Sequence, residues 1–266
     1  SIFQGNKGAN GGAIYPRYPA AVTTITGSSF TNNETLSPVN GWGGALLLWD
    51  GAPVTITTSS LINNSARAGA AVYLQGPSRL TASDTTFAGN QSGARSPSEG
   101  SALFNPSGTL NLTRVTVSDN DGDGVYGVGT LVNVTLSGNR SAGLWETGGN
   151  SALTNVTMTG NSWAGMQFGY PFSMKNVLFA NNAGSNCATP FTPNFSGSFS
   201  LSDDDSCHIG AGRDNVAILL GPLANNGGAT WTHLPLAGSL AIDNGTGVGA
   251  PSTDQRGLGR PVGAAV

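Results

Sequence analysis

Charge is scarce in this chain. Asp, Glu, Lys and Arg together make up 9% of the 266 residues, and Lys7 and Lys175 are the only lysines. A formal charge of −3, with eleven basic residues scattered singly, gives no electrostatic footprint for nucleic acid and no polybasic patch for an anionic membrane. Long apolar runs are missing too. None approaches the roughly 20 residues that a membrane-spanning helix needs. Histidine is limited to His208 and His233, so catalysis by imidazole would have to sit at one of two places. Cysteine is limited to Cys187 and Cys207, 20 positions apart in a Gly/Ser/Asp-rich stretch. That pair fits a single disulfide, closing a loop worth about 3 kcal/mol, and with it an oxidising, extracellular or cell-surface address. Two unpaired thiols are the alternative.

What is abundant is glycine, at forty residues, with many Ser, Thr and Asn. Gly and Asn supply the positive-φ positions that tight corners require, so a turn-rich β protein is expected and helix is not. The polar residues recur in order. An apolar residue three positions before an Asn returns as Phe3/Asn6, Phe30/Asn33, Leu61/Asn64, Phe87/Asn90, Val117/Asn120, Leu136/Asn139, Met158/Asn161 and Phe179/Asn182. Successive Asn residues lie 27, 31, 26, 30, 19, 22 and 21 apart, which fits one coil of a solenoid with loops of varying length inserted. A repeat array of this length can be one unit whose stability is summed coil by coil.

Each coil carries three short apolar pieces, as in Ser101–Phe104, Thr109–Leu112 and Val115–Val117. Each piece alternates with period two and is punctuated by Gly, Asn or Pro. Three strands per coil predict a parallel β-helix over residues 1–182, its strands pairing with those of the coils above and below. Residues 183–266 are expected to form an elaborated last coil and a capping segment within one continuous domain. The Asn column has a mechanical reading: Asn tolerates the left-handed conformation at a corner, and its amide can bond the next coil. A second column, Asn133, Asn155 and Asn176, is continued in earlier coils by Arg114 and Asp84.

In the middle phrase of each coil the third residue is aliphatic: Ile14, Leu46, Val72, Leu103, Val125, Leu144, Met166. This column should point inward, which turns the fourth outward. The outward set is Tyr15, Leu47, Tyr73, Phe104, Tyr126 and Trp145, an aromatic stripe with three readings: a platform for sugar rings, a protein-contact face, or a surface covered by the C-terminal segment.

Gly11-Gly-Ala-Ile and Gly43-Gly-Ala-Leu, with Phe-Gln-Gly-Asn, Phe-Thr-Asn-Asn, Phe-Ala-Gly-Asn and Phe-Ala-Asn-Asn, resemble the paired motifs of polymorphic outer membrane protein repeats. Those repeats belong to bacterial surface β-helices, several of them adhesins. Leu220-Gly-Pro-Leu-Ala-Asn-Asn-Gly-Gly-Ala-Thr-Trp-Thr-His, Gly238-Ser-Leu-Ala-Ile-Asp and Thr253-Asp-Gln-Arg-Gly-Leu-Gly-Arg-Pro resemble the C-terminal portion of bacterial choice-of-anchor Q domain proteins. The sequence runs to Val266 without the Asp-Ile-Gly-Ala-like ending usual in that family and includes no outer-membrane barrel segment, so the mode of anchoring is open. The resemblance implies a right-handed helix and a secreted or cell-surface protein that binds a glycan or protein, or assembles with itself.

Catalysis needs more than the scaffold, because polysaccharide lyases and hydrolases require clustered carboxylates, or basic side chains beside a metal. The acidic corner Asp119, Asp121, Asp123, with Arg114 and Arg140 in successive coils, is the one stretch offering this. Asp119-Asn-Asp121-Gly-Asp123-Gly124 also matches the opening of a calcium loop, but Thr130 stands where the closing Glu belongs. It is calcium-binding or a plain acidic corner; otherwise no cofactor is expected. Asp203 to Asp205 reads as a solvated loop. Ser1 begins inside a third strand, so either an upstream coil or a head-to-tail filament contact is expected to cover Phe3.

Overall fold

The computed structural model describes residues 1–19, 22–37, 41–93, 100–189, 195–196 and 199–260, and all its named elements are strands. Their pairings are parallel and join each coil to the next, so the chain is a parallel β-helix. Three faces run its length. Face A contains Leu46–Leu48, Val72–Leu74, Ala142–Trp145, Ala164–Gln167 and Ser185–Ala188. Face B contains Thr23–Thr26, Pro53–Thr57, Arg79–Ser83 and Phe172–Lys175, and face C contains Ile2–Gln4, Ser29–Thr31, Ser60–Ile62, Thr86–Ala88, Leu178–Ala180 and Leu201–Ser202. In the middle coils the strands fuse around the corners, as in Leu103–Ser118, Val125–Ser137 and Ala152–Thr159.

The inward column stands in register. Ile14 bridges Leu46, and Leu46, Val72, Leu103, Val125, Leu144 and Met166 pair in succession. Cys187 follows Met166 in the same column and is bonded to Cys207, both buried. On face C the stack is Phe3, Phe30, Leu61, Phe87, Val117, Leu136, Met158, Phe179. Like on like in every coil gives a dry interior, the main stabilising term for such a repeat.

Three strands per coil is incomplete for the first four coils. There a short fourth ladder, Lys7–Gly8, Glu34–Thr35, Ser65–Ala66 and Gln91–Ser92, lies between faces C and A. This accounts for the long early spacings and the short later ones. The Gly-Gly-Ala phrase also has a local cause. Gly11 and Gly43 take φ of 56° and 67°. A Cβ on Gly12 would collide with the Gly44 carbonyl oxygen, and one on Gly44 with that of Ala70.

The corner chemistry differs from the expectation. The residue before each ladder Asn takes the left-handed conformation, as at Gly5, Asn32, Asn63, Gly89, Asp119, Gly138, Gly160 and Asn181. The ladder Asn keeps ordinary φ and turns its side chain inward. The second column does occupy left-handed corners: Asp84, Arg114, Asn133, Asn155 and Asn176 all have positive φ, with Gly27 and Thr58 before them.

The C-terminal segment lies along face C. Gln255 is buried there: its Nε2 donates to Thr116 Oγ1 at 3.0 Å and its Oε1 accepts from Thr135 Oγ1 at 2.8 Å. Asn133 Nδ2 donates to the Thr253 carbonyl at 3.0 Å and Asn176 Nδ2 to the Thr246 carbonyl at 2.9 Å. The second Asn column is thus the docking strip for this segment.

Candidate binding face, ladder and acidic corner

Each internal ladder Asn is fully employed. Asn139 Nδ2 donates to Asn161 Oδ1 at 3.0 Å and to the Val117 carbonyl at 3.2 Å, while the Asn139 Oδ1 accepts from the Nδ2 and backbone N of Asn120. The same pattern links Asn6, Asn33, Asn64, Asn90 and Asn120 below it and Asn161 and Asn182 above. Asn182 then donates to Asn186 Oδ1 at 2.8 Å, and Asn186 Nδ2 reaches Asp203 Oδ1 at 2.7 Å. Asp204 Oδ2 accepts from the Asn186 backbone N at 2.9 Å, and hydrogen bonds from Ser206, Asn186 and Ser202 hold its carboxyl below the ordinary range despite burial. Asp203 and Asp204 therefore terminate the ladder, whereas the sequence suggested a solvated loop, and Asp205 is exposed. A buried amide column ending in carboxylates satisfies donors that would otherwise be stranded.

The aromatic stripe on face A is continuous and longer than expected. Eight rings follow one another in the order Tyr15, Trp49, Trp42, Tyr73, Phe104, Tyr126, Trp145, Trp163, with centroids 4.6 to 6.2 Å apart. Trp42, Trp49 and Trp163 lie outside the aligned phrase, and only the fold adds them. Leu47 belongs to the outward column but is fully buried, and Phe104 is only 9% exposed. Trp42 on Tyr73 and Phe104 on Tyr126 are stacked, with interplanar angles of 23° and 16°. Stacked rings give their faces to one another and leave edges and polar tips to solvent. Among the described residues, the hydrogen bonds that join residues 230–260 to the repeats land on faces B and C and the corner between them, not on this stripe.

The acidic corner does not converge. Asp119 is exposed at a left-handed corner, Asp121 pairs with Arg140 at 2.7 Å, and Asp123 is fully buried. Asp123 Oδ1 accepts from the Ala142 backbone N at 2.9 Å, and burial pushes its carboxyl up to about 6 against hydrogen bonds that favour the charged form. Among the described residues no group of three His, Cys, Asp or Glu could hold a metal ion. Arg114 turns away to a two-point pair with Asp84, at 2.7 Å on each bond.

One buried acid escaped the sequence, and His233, named there, receives its place only from the fold. Glu146 follows the inward Leu144 by two residues and is 1% exposed; its Oε1 accepts from Gly148 and Ser151, its Oε2 has no partner, and burial raises its carboxyl. Its position after an outward Trp was the available signal. His233 Nδ1 lies 2.7 Å from the Gly221 carbonyl and Nε2 2.9 Å from Ser137 Oγ. A carbonyl can only accept, so Nδ1 carries a proton; in the neutral ring, which burial favours, Nε2 accepts from Ser137. Burial lowers the His233 pKa.

A family model described as "Right handed beta helix region" matches residues 1–130. The fold is a right-handed parallel β-helix. No curated protein and no solved structure matches the chain. No described helix is long and apolar enough to cross a membrane.

Proposed function

We propose that this right-handed β-helix is a non-catalytic, extracellular or cell-surface protein of bacterial type that holds a rigid face against a partner. The observation that carries this reading is the eight-ring stripe on face A. Aromatic edges, tyrosine hydroxyls and indole N–H groups on a stiff sheet suit a protein contact, because they add area without ordering long side chains. Sugar stacking is the weaker form of the same reading, since the pairs Trp49–Trp42, Trp42–Tyr73 and Phe104–Tyr126 turn ring faces toward one another. The disulfide and the resemblance to polymorphic outer membrane protein repeats and choice-of-anchor Q proteins support the address.

Beads carrying the full chain would be tested for adhesion to cells treated with protease or with periodate. Protease should abolish adhesion, and Tyr126→Ala with Trp145→Ala should weaken it while the melting temperature stays high. Periodate-sensitive adhesion would shift the partner to a glycan, and adhesion indifferent to the face variant would remove the face from the mechanism. Release of unsaturated products from uronate polymers, with or without calcium and dependent on Asp121 or Arg114, would replace binding with lyase chemistry.

A further inference from the structure

A cavity of about 340 Å³ lies between face C and the C-terminal segment, away from the aromatic stripe. Its wall changes character along the coil axis. Thr135, Thr157, Leu178 and Leu201 are successive partners in one outward column, each about 4.8 Å from the next. At the Thr135 end stand Gln255, the Asp254–Arg256 pair and Arg260; at the other end Leu178 and Leu201 are joined by Ala241, and Asn176, Asp243 and Asn244 also line the cavity. Along this column two hydroxyl side chains give way to two aliphatic ones.

Among the described residues, Arg260 is the cation of this wall that has no carboxylate in direct ion pair with it. Its NH1 donates to Asn133 Oδ1 at 3.1 Å, and Asn133 is neutral. Asp254 is the carboxylate whose charge reaches it, but Asp254 is already paired with Arg256 at 2.6 Å. Burial and the Arg256 charge both disfavour the charged guanidinium. A half-buried guanidinium keeps its charge and presents a planar fork of donors that matches a carboxylate. His233, also in the wall, has its charged form disfavoured by burial.

We propose that this cavity binds a small amphipathic carboxylate, its anionic head on Arg260 and its acyl or aryl body against Leu178 and Leu201. Thr157, midway between them, is covered by the body of the ligand. The site is independent of the partner-binding face.

Isothermal titration of the full chain with octanoate and with methyl octanoate tests it. Octanoate should bind once per chain, and the ester, equal in length but uncharged, about tenfold more weakly. Arg260→Gln should erase the preference for the acid, and Thr157→Trp should abolish binding of both without lowering the melting temperature. Absence of saturable octanoate binding, equal binding of acid and ester, or full binding by a folded Thr157→Trp variant overturns the proposal. The acid and ester comparison on the unaltered chain decides the matter even if the Arg260 variant fails to fold.

Discussion

Gln255 Nε2 lies 3.0 Å from Thr116 Oγ1, although 139 positions separate the two residues. The same amide also donates to the Val115 carbonyl at 3.2 Å, so one buried side chain stitches the C-terminal segment to face C. Gln255→Met keeps the shape and strands these partners, and should cost about 1–3 kcal/mol. Urea unfolding gives the size. An early protease-sensitive phase confined to residues 216–260 would show that the segment detaches before the helix unfolds; a variant as stable as the parent would show the bonds to be replaceable by water.

Asn139→Ala removes a buried ladder member and leaves its neighbours' amides unpaired, with an expected cost of about 1–3 kcal/mol. Asn6→Ala, at an exposed end position, should cost less than about 0.5 kcal/mol. Equal losses in thermal unfolding would mean that the column acts by backbone conformation and not through its amide bonds.

Asp123 and His233 oppose each other in pH dependence. The folded Asp123 carboxyl titrates near 6, above its ordinary 3.8, so its contribution is fully present below 3.8 and is lost as pH rises through about 6. Glu146 acts in the same direction. His233 is lowered from 6.5, so its contribution is present above 6.5 and is lost as pH falls below that value. Asp123→Asn should raise stability at neutral pH by on the order of 1–3 kcal/mol and leave the acid limit nearly unchanged. Melting temperatures of parent and variant across that range decide it; parallel curves would refute the assignment.

Cys187 and Cys207 close a loop with a sequence separation of 20 and are both buried. Replacing both by Ala should cost about 3 kcal/mol. Loss should fall first on the last coils, because Cys187 extends the Met166 column. Hydrogen exchange would locate it, and uniform weakening of every coil would argue for one cooperative unit.

Much of the fold was legible because stacking repeats the same demand in every coil. Phe30, Leu61 and Phe87 fill one interior position three times, so the column announces itself in sequence and fixes the register. The ladder Asn residues were legible for the same reason. Their corner geometry was not, because Asn is compatible both with a left-handed turn and with the position after it. The candidate site was less readable. Six outward positions were visible at equal offsets, but Trp42, Trp49 and Trp163 join the rings from other offsets, and the stacking that hides their faces depends on distances between coils.

The sequence alone therefore determined the repeat and the inward and outward columns, which follow from local alternation and spacing, while the cysteine pair it offered was settled by the fold. Only the tertiary structure decided what becomes of groups that are not repeated. Asp119, Asp121 and Asp123 share a short stretch of chain, yet one faces solvent, one meets Arg140 and one is buried, because successive residues at a corner point in different directions. Arg260 and Asn133 are 127 positions apart and in contact. Nothing periodic encodes that meeting: it arises from where a non-repeating segment settles on face C, by partners that each occur once.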